Sequence, residues 1–313
     1  MDYTTLGRTG LRVSVLGLGG GGHSRLGQAT GNTPAESIAL VQHALELGIN
    51  FIDTAESYGT EAIIGQALRA HLREEVVLST KKTIRRDSGL VTPDDVRHGL
   101  EDSLKRLGVE YVDIYHLHAV RPEDYEYARE QLVPALEKLQ AEGKMHFLGI
   151  TEMFAADTSH QTLQRAVQGD EFDVVMVGFN ILNQSARERV FAHTRRQNIG
   201  VLDMFAVRQA FSQMAKLREI IDGLVQRGEV DPVMIDEESP LSFLVRDGDA
   251  RSLVDAAYRF CRQEPGVHVV LSGTGSVSHL EENVASILRP PLPEPDRQHL
   301  MDAFARVDSV SGQ

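Results

Sequence analysis

The sequence predicts an α/β protein built as a closed (β/α)8 barrel, the TIM-barrel class. Three observations carry that expectation. Short apolar strands alternate strictly with amphipathic helices along the 313 residues, which argues for a parallel sheet. Eight such repeats in roughly 290 residues suit a closed barrel better than an open sheet. No Pro/Gly/Ser-rich linker divides the chain, so residues 1–313 read as a single domain.

Taken in order, TTLGRTGLRV is expected to form a hairpin that plugs the bottom of the barrel, with GRTG at its turn. The first barrel strand is expected at Val13–Leu18, followed by a helix over Ala35–Leu47. Thr33-Pro34 opens that helix as an N-cap with proline in the first helical position, and Gly48 stops it. Strand Asn50–Asp53 leads to helix Glu61–Leu72, and strand Val76–Thr80 to helix Pro93–Leu107, punctuated by Thr92 and Gly108. Tyr111–His118 is the fourth strand, with helix Glu123–Glu142 ending at Gly143. Met145–Ile150 precedes helix Ala156–Gln168, and Val174–Val177 precedes helix Ser185–Gln197. After the seventh strand, Gly200–Met204, residues 205–251 are too long for a simple connection and carry their own helix near Gln213–Val225. Loops of that length are usually lids or binding segments. Helix Ser252–Gln263, strand Val267–Leu271 and helix Val277–Leu288 complete the repeat, and a last helix at about Pro295–Val307 follows RPPLPEP.

Composition narrows the function classes. A net charge of −13, from 45 acidic against 32 basic side chains, disfavours nucleic acid and anionic membranes as partners. Cys261 is the sole cysteine, so no internal disulfide forms, which fits a reducing compartment. The N-terminus has no apolar signal core, and no apolar run approaches the roughly 20 residues of a membrane span. A cytoplasmic location is expected.

Within VLGLGGGGHSRLG, Gly17, Gly19 and Gly22 satisfy the dinucleotide pattern G-x-G-x-x-G. The context argues against that reading. The pattern must open directly into a helix, whereas HSRLGQATGNTP intervenes. The acid at the end of the second strand, Asp53, also lies farther on than the roughly 20 residues expected. The glycines instead suit a loop on the active face of the barrel, where bare backbone lets a flat ligand approach.

Catalytic residues of a barrel sit at the C-terminal ends of its strands. Those ends offer Asp53 and Tyr58 in FIDTAESYG, Lys81 and Lys82 in LSTKK, and His116 and His118 in IYHLHAV. A phenol with pKa about 10 is a poor proton donor at neutral pH unless a nearby ammonium favours its phenolate. A carboxylate keeps that ammonium charged, and an imidazole orients a carbonyl oxygen. Such a set protonates oxygen while a hydride reaches carbon.

FIDTAESYG, STKK, DIYHLH and GKMHFLGITE resemble, in order and spacing, the signature segments of the aldo-keto reductases, with LGRTGLRVSVLGLG and LEENVASIL matching near the two ends. The opening segment and FIDTAESYG most resemble the aldose and galactose dehydrogenase branches. The resemblance implies Tyr58 as general acid/base, Lys81 as the residue lowering its pKa, Asp53 as the partner of that lysine and His118 as the carbonyl-orienting group. It implies NADPH or NADH as cofactor, lying across the mouth with Gly19, Gly20 and Asp53 beside it. The carboxamide-holding positions fall on Thr151, Glu152 and Met176, and the ring-stacking position on Met204. Phe205, Ala206, Val207 and Arg208 would wrap the diphosphate, Arg208 by pairing with it. Gly273, Thr274, Gly275 and His279 would meet the adenosine phosphate, and Glu282 and Asn283 the adenine. Gly273 and His279 stand where NADP-preferring relatives place Lys and Arg, so the preference between the two cofactors stays open. The substrate pocket is expected at Gly21, His23, Tyr58, His116 and His118, taking a small carbonyl compound or sugar. Two alternatives remain at this point: a metal-dependent barrel hydrolase using His116 and His118, and a non-catalytic barrel subunit.

Overall fold

Eight parallel strands close into a barrel, described by a computed structural model over residues 1–236, 238–246 and 248–313. Two short antiparallel strands come first, β1 (Tyr3–Thr5) and β2 (Arg12–Ser14). The staves are β3 (Leu16–Gly19), β4 (Phe51–Asp53), β5 (Val77–Thr83), β8 (Val112–Val120), β9 (Met145–Glu152), β10 (Val174–Gly178), β11 (Gly200–Met204) and β12 (Val269–Ser272). Between β5 and β8 lies a small ribbon, β6 (Arg85–Arg86) with β7 (Gly89–Leu90), which the sequence reading did not anticipate. Pairing of β12 with β3 closes the ring.

The hairpin seals the bottom as expected. Leu6 and Val13 are fully buried in one cluster with Phe51, Val77, Ile114, Val174, Leu202 and Val269, the apolar floor of the barrel. Gly7 lets the hairpin approach: it has φ +48°, and a Cβ there would stand 2.4 Å from the Gly200 amide nitrogen. Val13 and Ser14 therefore belong to the plug and not to the first stave. The break is stitched by Ser14, whose amide donates to Asn50 Oδ1 (2.7 Å) and whose hydroxyl donates to the Leu16 carbonyl (2.7 Å).

Outside the strands, a second apolar layer joins the sheet to the helices. Thr33 with Glu36, and Thr92 with Asp95, form reciprocal capping boxes, each followed by proline in the first turn. Other helices depart from their expected spans. The one expected at Ala156–Gln168 is helical only over Gln161–Ala166, because the Asp157 carboxylate accepts from the amides of Gln161 and Thr162 (2.8 Å each) and His160 turns left-handed, φ +62°. That expected at Glu123–Glu142 contains a π turn at Ala128–Leu132, just before Pro134 removes an amide donor. Helix Glu61–Leu72 stops at Leu68, and the last helix runs Glu294–Ala303. In the 205–251 segment helices form at Gln209–Ser212, Met214–Gln226 and Phe243–Arg246. Among the described residues, no helix is long and apolar enough to cross a membrane.

One buried group carries a stability prediction. Leu202 and Met204 face the barrel interior, so alternation turns Asp203 outward against helix Leu253–Arg262. Asp203 is fully buried beside the Cys261 thiol and the Phe179 backbone, and among the described residues neither carboxyl oxygen meets a partner in good hydrogen-bond geometry. Burial pushes its pKa well above the ordinary value. The folded state thus holds a proton that the unfolded chain releases near pH 4. Stability that is fully present below that pH is lost as pH rises toward the raised folded value. Asp203→Asn is expected to remove this slope and to raise the urea midpoint more at pH 8 than at pH 5. Equal midpoints for the two proteins at pH 8 would refute it.

Candidate active site

Alternation along the staves assembles the site. Phe51, Val77 and Ile114 point into the apolar floor, so Asp53 on β4, Ser79, Lys81 and Thr83 on β5, and His116 and His118 on β8 also point inward, stacked above it. The register sets Asp53 beside Ser79, Lys81 beside His116 and Thr83 beside His118. Lys82 points the other way and donates to Glu56 Oε2 (2.7 Å), pinning the turn that carries Tyr58. That turn, Glu56–Tyr58, ends on Gly59 at φ +75°. Tyr58 then lies over Gly21, where a Cβ would stand 2.5 Å from the phenol ring.

Lys81 is wholly buried and donates to Asp53 Oδ2 (2.5 Å) and to the Thr54 carbonyl (2.7 Å). Ser79 Oγ donates to the other Asp53 oxygen (2.8 Å). Burial alone would push the Lys81 pKa down, but the Asp53 carboxylate and the Tyr58 hydroxyl outweigh it, and the ammonium is held above its ordinary value. Its nitrogen stands 5.0 Å from the centre of the Tyr58 ring. The Tyr58 hydroxyl meets His118 Nε2 at 3.3 Å, and Thr83 Oγ1 meets His118 Nδ1 at 3.2 Å. Burial, with the Lys81 charge adding to it, pushes His118 down to about 3. Its ring is therefore neutral across physiological pH. In the tautomer in which Nδ1 accepts from the Thr83 hydroxyl, the ring N–H sits on Nε2, toward Tyr58. Ser79 and Thr83 were not among the expected site residues; both lie two positions from Lys81, on the same face.

The structure brings together Asp53, Tyr58, Lys81 and His118. It does not make His116 a pocket wall. That ring is fully buried one layer below the mouth, in the space left by Gly149, where a Cβ would stand 2.1 Å from His116 Nδ1. His23 is exposed on the rim. Among the described residues, no group of three or more His, Cys, Asp or Glu side chains is arranged to hold a metal ion.

The residues expected around a dinucleotide divide into open and engaged sets. Gly19 and Gly273 have no neighbour closer than 3.6 Å to an added Cβ, leaving room for a flat group, and Met204 and Phe205 are only half-buried at the end of β11. Gly20 and Gly21 are close-packed on Thr60 and Tyr58. Helix Val277–Ile287 presents the exposed Ser278 and His279 at its N-terminus, and Glu282 is exposed one turn on. That edge fits an extended cofactor with its anionic end on the helix. Val207 is half-buried, and Ala206 and Met176 lie in the core, Met176 within the barrel floor cluster. Thr151 Oγ1 accepts from the Ala119 amide (2.8 Å), at a β-bulge that ends β8. Glu152 is not free to hold a carboxamide: its oxygens accept from the Gly178 amide (2.9 Å) and bond His160 Nδ1 (2.9 Å). Asn283 donates one amide N–H to Ser272 Oγ (2.9 Å). Thr274 turns its hydroxyl back to the Ser276 amide (3.1 Å), and Gly275 is covered by Gly27 and by Asn32, which donates to its carbonyl (2.8 Å).

Comparison with known proteins matches residues 16–303 to the family model described as the aldo/keto reductase family. L-galactose dehydrogenase of Arabidopsis thaliana is 27% identical over 99% of this chain and 95% of its own length. D-threo-aldose 1-dehydrogenase of a Pseudomonas species is 28% identical over 88% of this chain and 89% of its own. Among solved structures, an aldo-keto reductase of Bacillus halodurans in its holo form superposes with a TM-score of 0.73 at 24% identity, covering 99% of this chain and 98% of that one. A thermostable aldo-keto reductase in complex with the inhibitor epalrestat gives 0.70 at 24% identity, over 97% and 100%.

Proposed function

Because the chain belongs to the aldo/keto reductase family, we propose that it is an NADPH- or NADH-dependent oxidoreductase that interconverts a carbonyl compound and its alcohol, with Tyr58 moving the proton. One observation supports this reading above others: a phenol in contact with a neutral imidazole, over a buried ammonium–carboxylate pair, at the open end of a barrel. Gly19, Met204, Phe205, Gly273 and the N-terminus of helix Val277–Ile287 would hold the dinucleotide, which when bound supplies or takes the hydride at the reacting carbon.

In reduction, the carbonyl oxygen lies between the Tyr58 hydroxyl and the His118 Nε2–H. Tyr58 gives its phenolic proton to that oxygen as the carbon gains hydride, and the alcohol leaves behind a phenolate. Lys81, kept charged by Asp53, offsets that negative charge. In oxidation the phenolate takes the alcohol proton back. His118 stays neutral throughout and positions the oxygen without exchanging a proton. The names of the relatives point to sugars, so an aldose is the first substrate to test.

Titration with NADPH and NADH, followed by quenching of their fluorescence, is expected to show saturable binding of at least one at micromolar concentration. Turnover of aldoses or simple aldehydes with that cofactor should accompany it. Neither binding nor turnover with both dinucleotides would overturn the reading and return the barrel to a non-catalytic role.

A further inference from the structure

The strand that carries Lys81 carries a second buried ammonium. Lys82 is 3% exposed and lies on the outer face of β5, where its Nζ donates to Glu56 Oε2 at 2.7 Å. A buried ammonium is costly to keep unless a counter-charge completes it. The helix outside the strand leaves room for this one. At Gly99, within Pro93–Leu107, a Cβ would stand 2.8 Å from Lys82 Cδ and 2.9 Å from its Nζ. A side chain there would displace the lysine from its partner.

Glu56 opens the turn Glu56–Tyr58, and the reacting phenol is two residues farther on. Little else holds the turn on that flank. Ala55 offers no side-chain cap, Ser57 is exposed, and Gly59 ends the turn at φ +75°. Its base is closed by Thr54 and Thr60, whose hydroxyls meet at 2.8 Å. From inside the barrel Lys81 donates to the Thr54 carbonyl at 2.7 Å, and from outside Lys82 grips Glu56. Successive side chains of a strand point to opposite faces, so two adjacent lysines hold one loop from its two sides. Between these holds the Tyr58 hydroxyl meets His118 Nε2 at 3.3 Å, and the Tyr58 ring centre lies 5.0 Å from the Lys81 nitrogen.

We propose that Lys82 and Glu56 are a positioning pair for proton transfer: their ion pair fixes the turn and so sets the Tyr58 hydroxyl against His118. The inference rests on the oxidoreductase reading given above and adds two residues that act through Tyr58. Misplacing a reacting group by about 1 Å can lower a rate about a hundredfold, so loss of the pair should appear in kcat. The two partners differ in what their loss leaves behind. The Glu56 side chain is 21% exposed and can turn to water once Lys82 is gone, whereas the Lys82 side chain, at 4%, cannot. Lys82→Met, which keeps the buried stem, is therefore the milder break.

The test measures kcat for Lys82→Met, Glu56→Gln and the double variant, each made in the wild-type and in the Tyr58→Phe protein. Aldoses and simple aldehydes such as benzaldehyde serve as probes with NADPH and NADH, and dinucleotide Kd is followed by fluorescence quenching. Lys82→Met is expected to lower kcat about tenfold to a hundredfold with Kd unchanged. Adding Glu56→Gln should lower it no further, because the pair is already broken. In the Tyr58→Phe protein Lys82→Met should leave the residual rate unchanged, since no hydroxyl remains to be misplaced. An unchanged kcat in the wild-type background would overturn the proposal. So would an equal fractional loss in the Tyr58→Phe background, which would make the pair a general brace of the barrel. Should Lys82→Met not fold, Glu56→Gln, which keeps an acceptor oxygen, carries the same comparison. A wild type that turns over none of the probes with either dinucleotide would fell the oxidoreductase reading and the proposal together; an active wild type indifferent to both substitutions fells the proposal alone.

Discussion

With Tyr58 replaced by phenylalanine, kcat is expected to fall about a thousandfold, within the range a positioned general acid supplies. The ring can stay where it is, because its seat over Gly21 and its 5.0 Å approach to the Lys81 ammonium do not involve the hydroxyl. What disappears is the single O–H that meets His118 Nε2 at 3.3 Å. The edge proposed for the dinucleotide, along Gly19, Met204 and Gly273, is untouched, so quenching titrations should return the wild-type Kd. His118, down at about 3, cannot take over as acid at neutral pH. A Tyr58→Phe protein that turns over at the wild-type rate would dismiss Tyr58 as the proton carrier.

Lys81→Met is expected to damage both turnover and folding. Asp53 is only 3% exposed, and without the ammonium its carboxylate keeps one side-chain hydrogen bond, from Ser79 Oγ at 2.8 Å. Breaking a buried ion pair from one side typically costs about 3–5 kcal/mol, because the remaining charge has no compensation. The double variant Lys81→Met/Asp53→Asn should recover most of that stability in chemical denaturation, since no charge is then left buried. Its turnover should stay low, because the phenolate has lost its counter-charge. A single variant as stable as the wild type would show that the pair contributes nothing to the fold, and equal losses in the single and double variants would show that the two side chains are not coupled.

The central four residues were legible because they stand at or just past strand ends on the active face, and the resemblance to the aldo-keto reductases singled them out there. Asp53, Lys81 and His118 each close an apolar run, and strand alternation separates Lys81 from Lys82. It also contained Ser79 and Thr83, which a reading by family motif passed over. The depth of a side chain was not legible. Whether His116 walls the mouth or lies beneath it depends on the next strand, where Gly149 leaves the space its ring fills. Glu152 was misplaced for a similar reason: its partner His160 folds back only because a left-handed residue and the Asp157 cap shorten the helix that follows. Nothing in the local pattern around Val13 marks the step from plug to stave either. That step depends on Asn50, 36 positions from Ser14, accepting its amide.

The plug has a further consequence for traffic. Leu6 and Val13 close the far end of the cylinder against an apolar floor, so the site opens at the C-terminal ends of the staves. Under the proposed oxidoreductase reading, carbonyl compound, alcohol and dinucleotide would all enter and leave by that end, so their order of binding would matter. Product-inhibition patterns measured against each substrate of that reaction would then report the order of release.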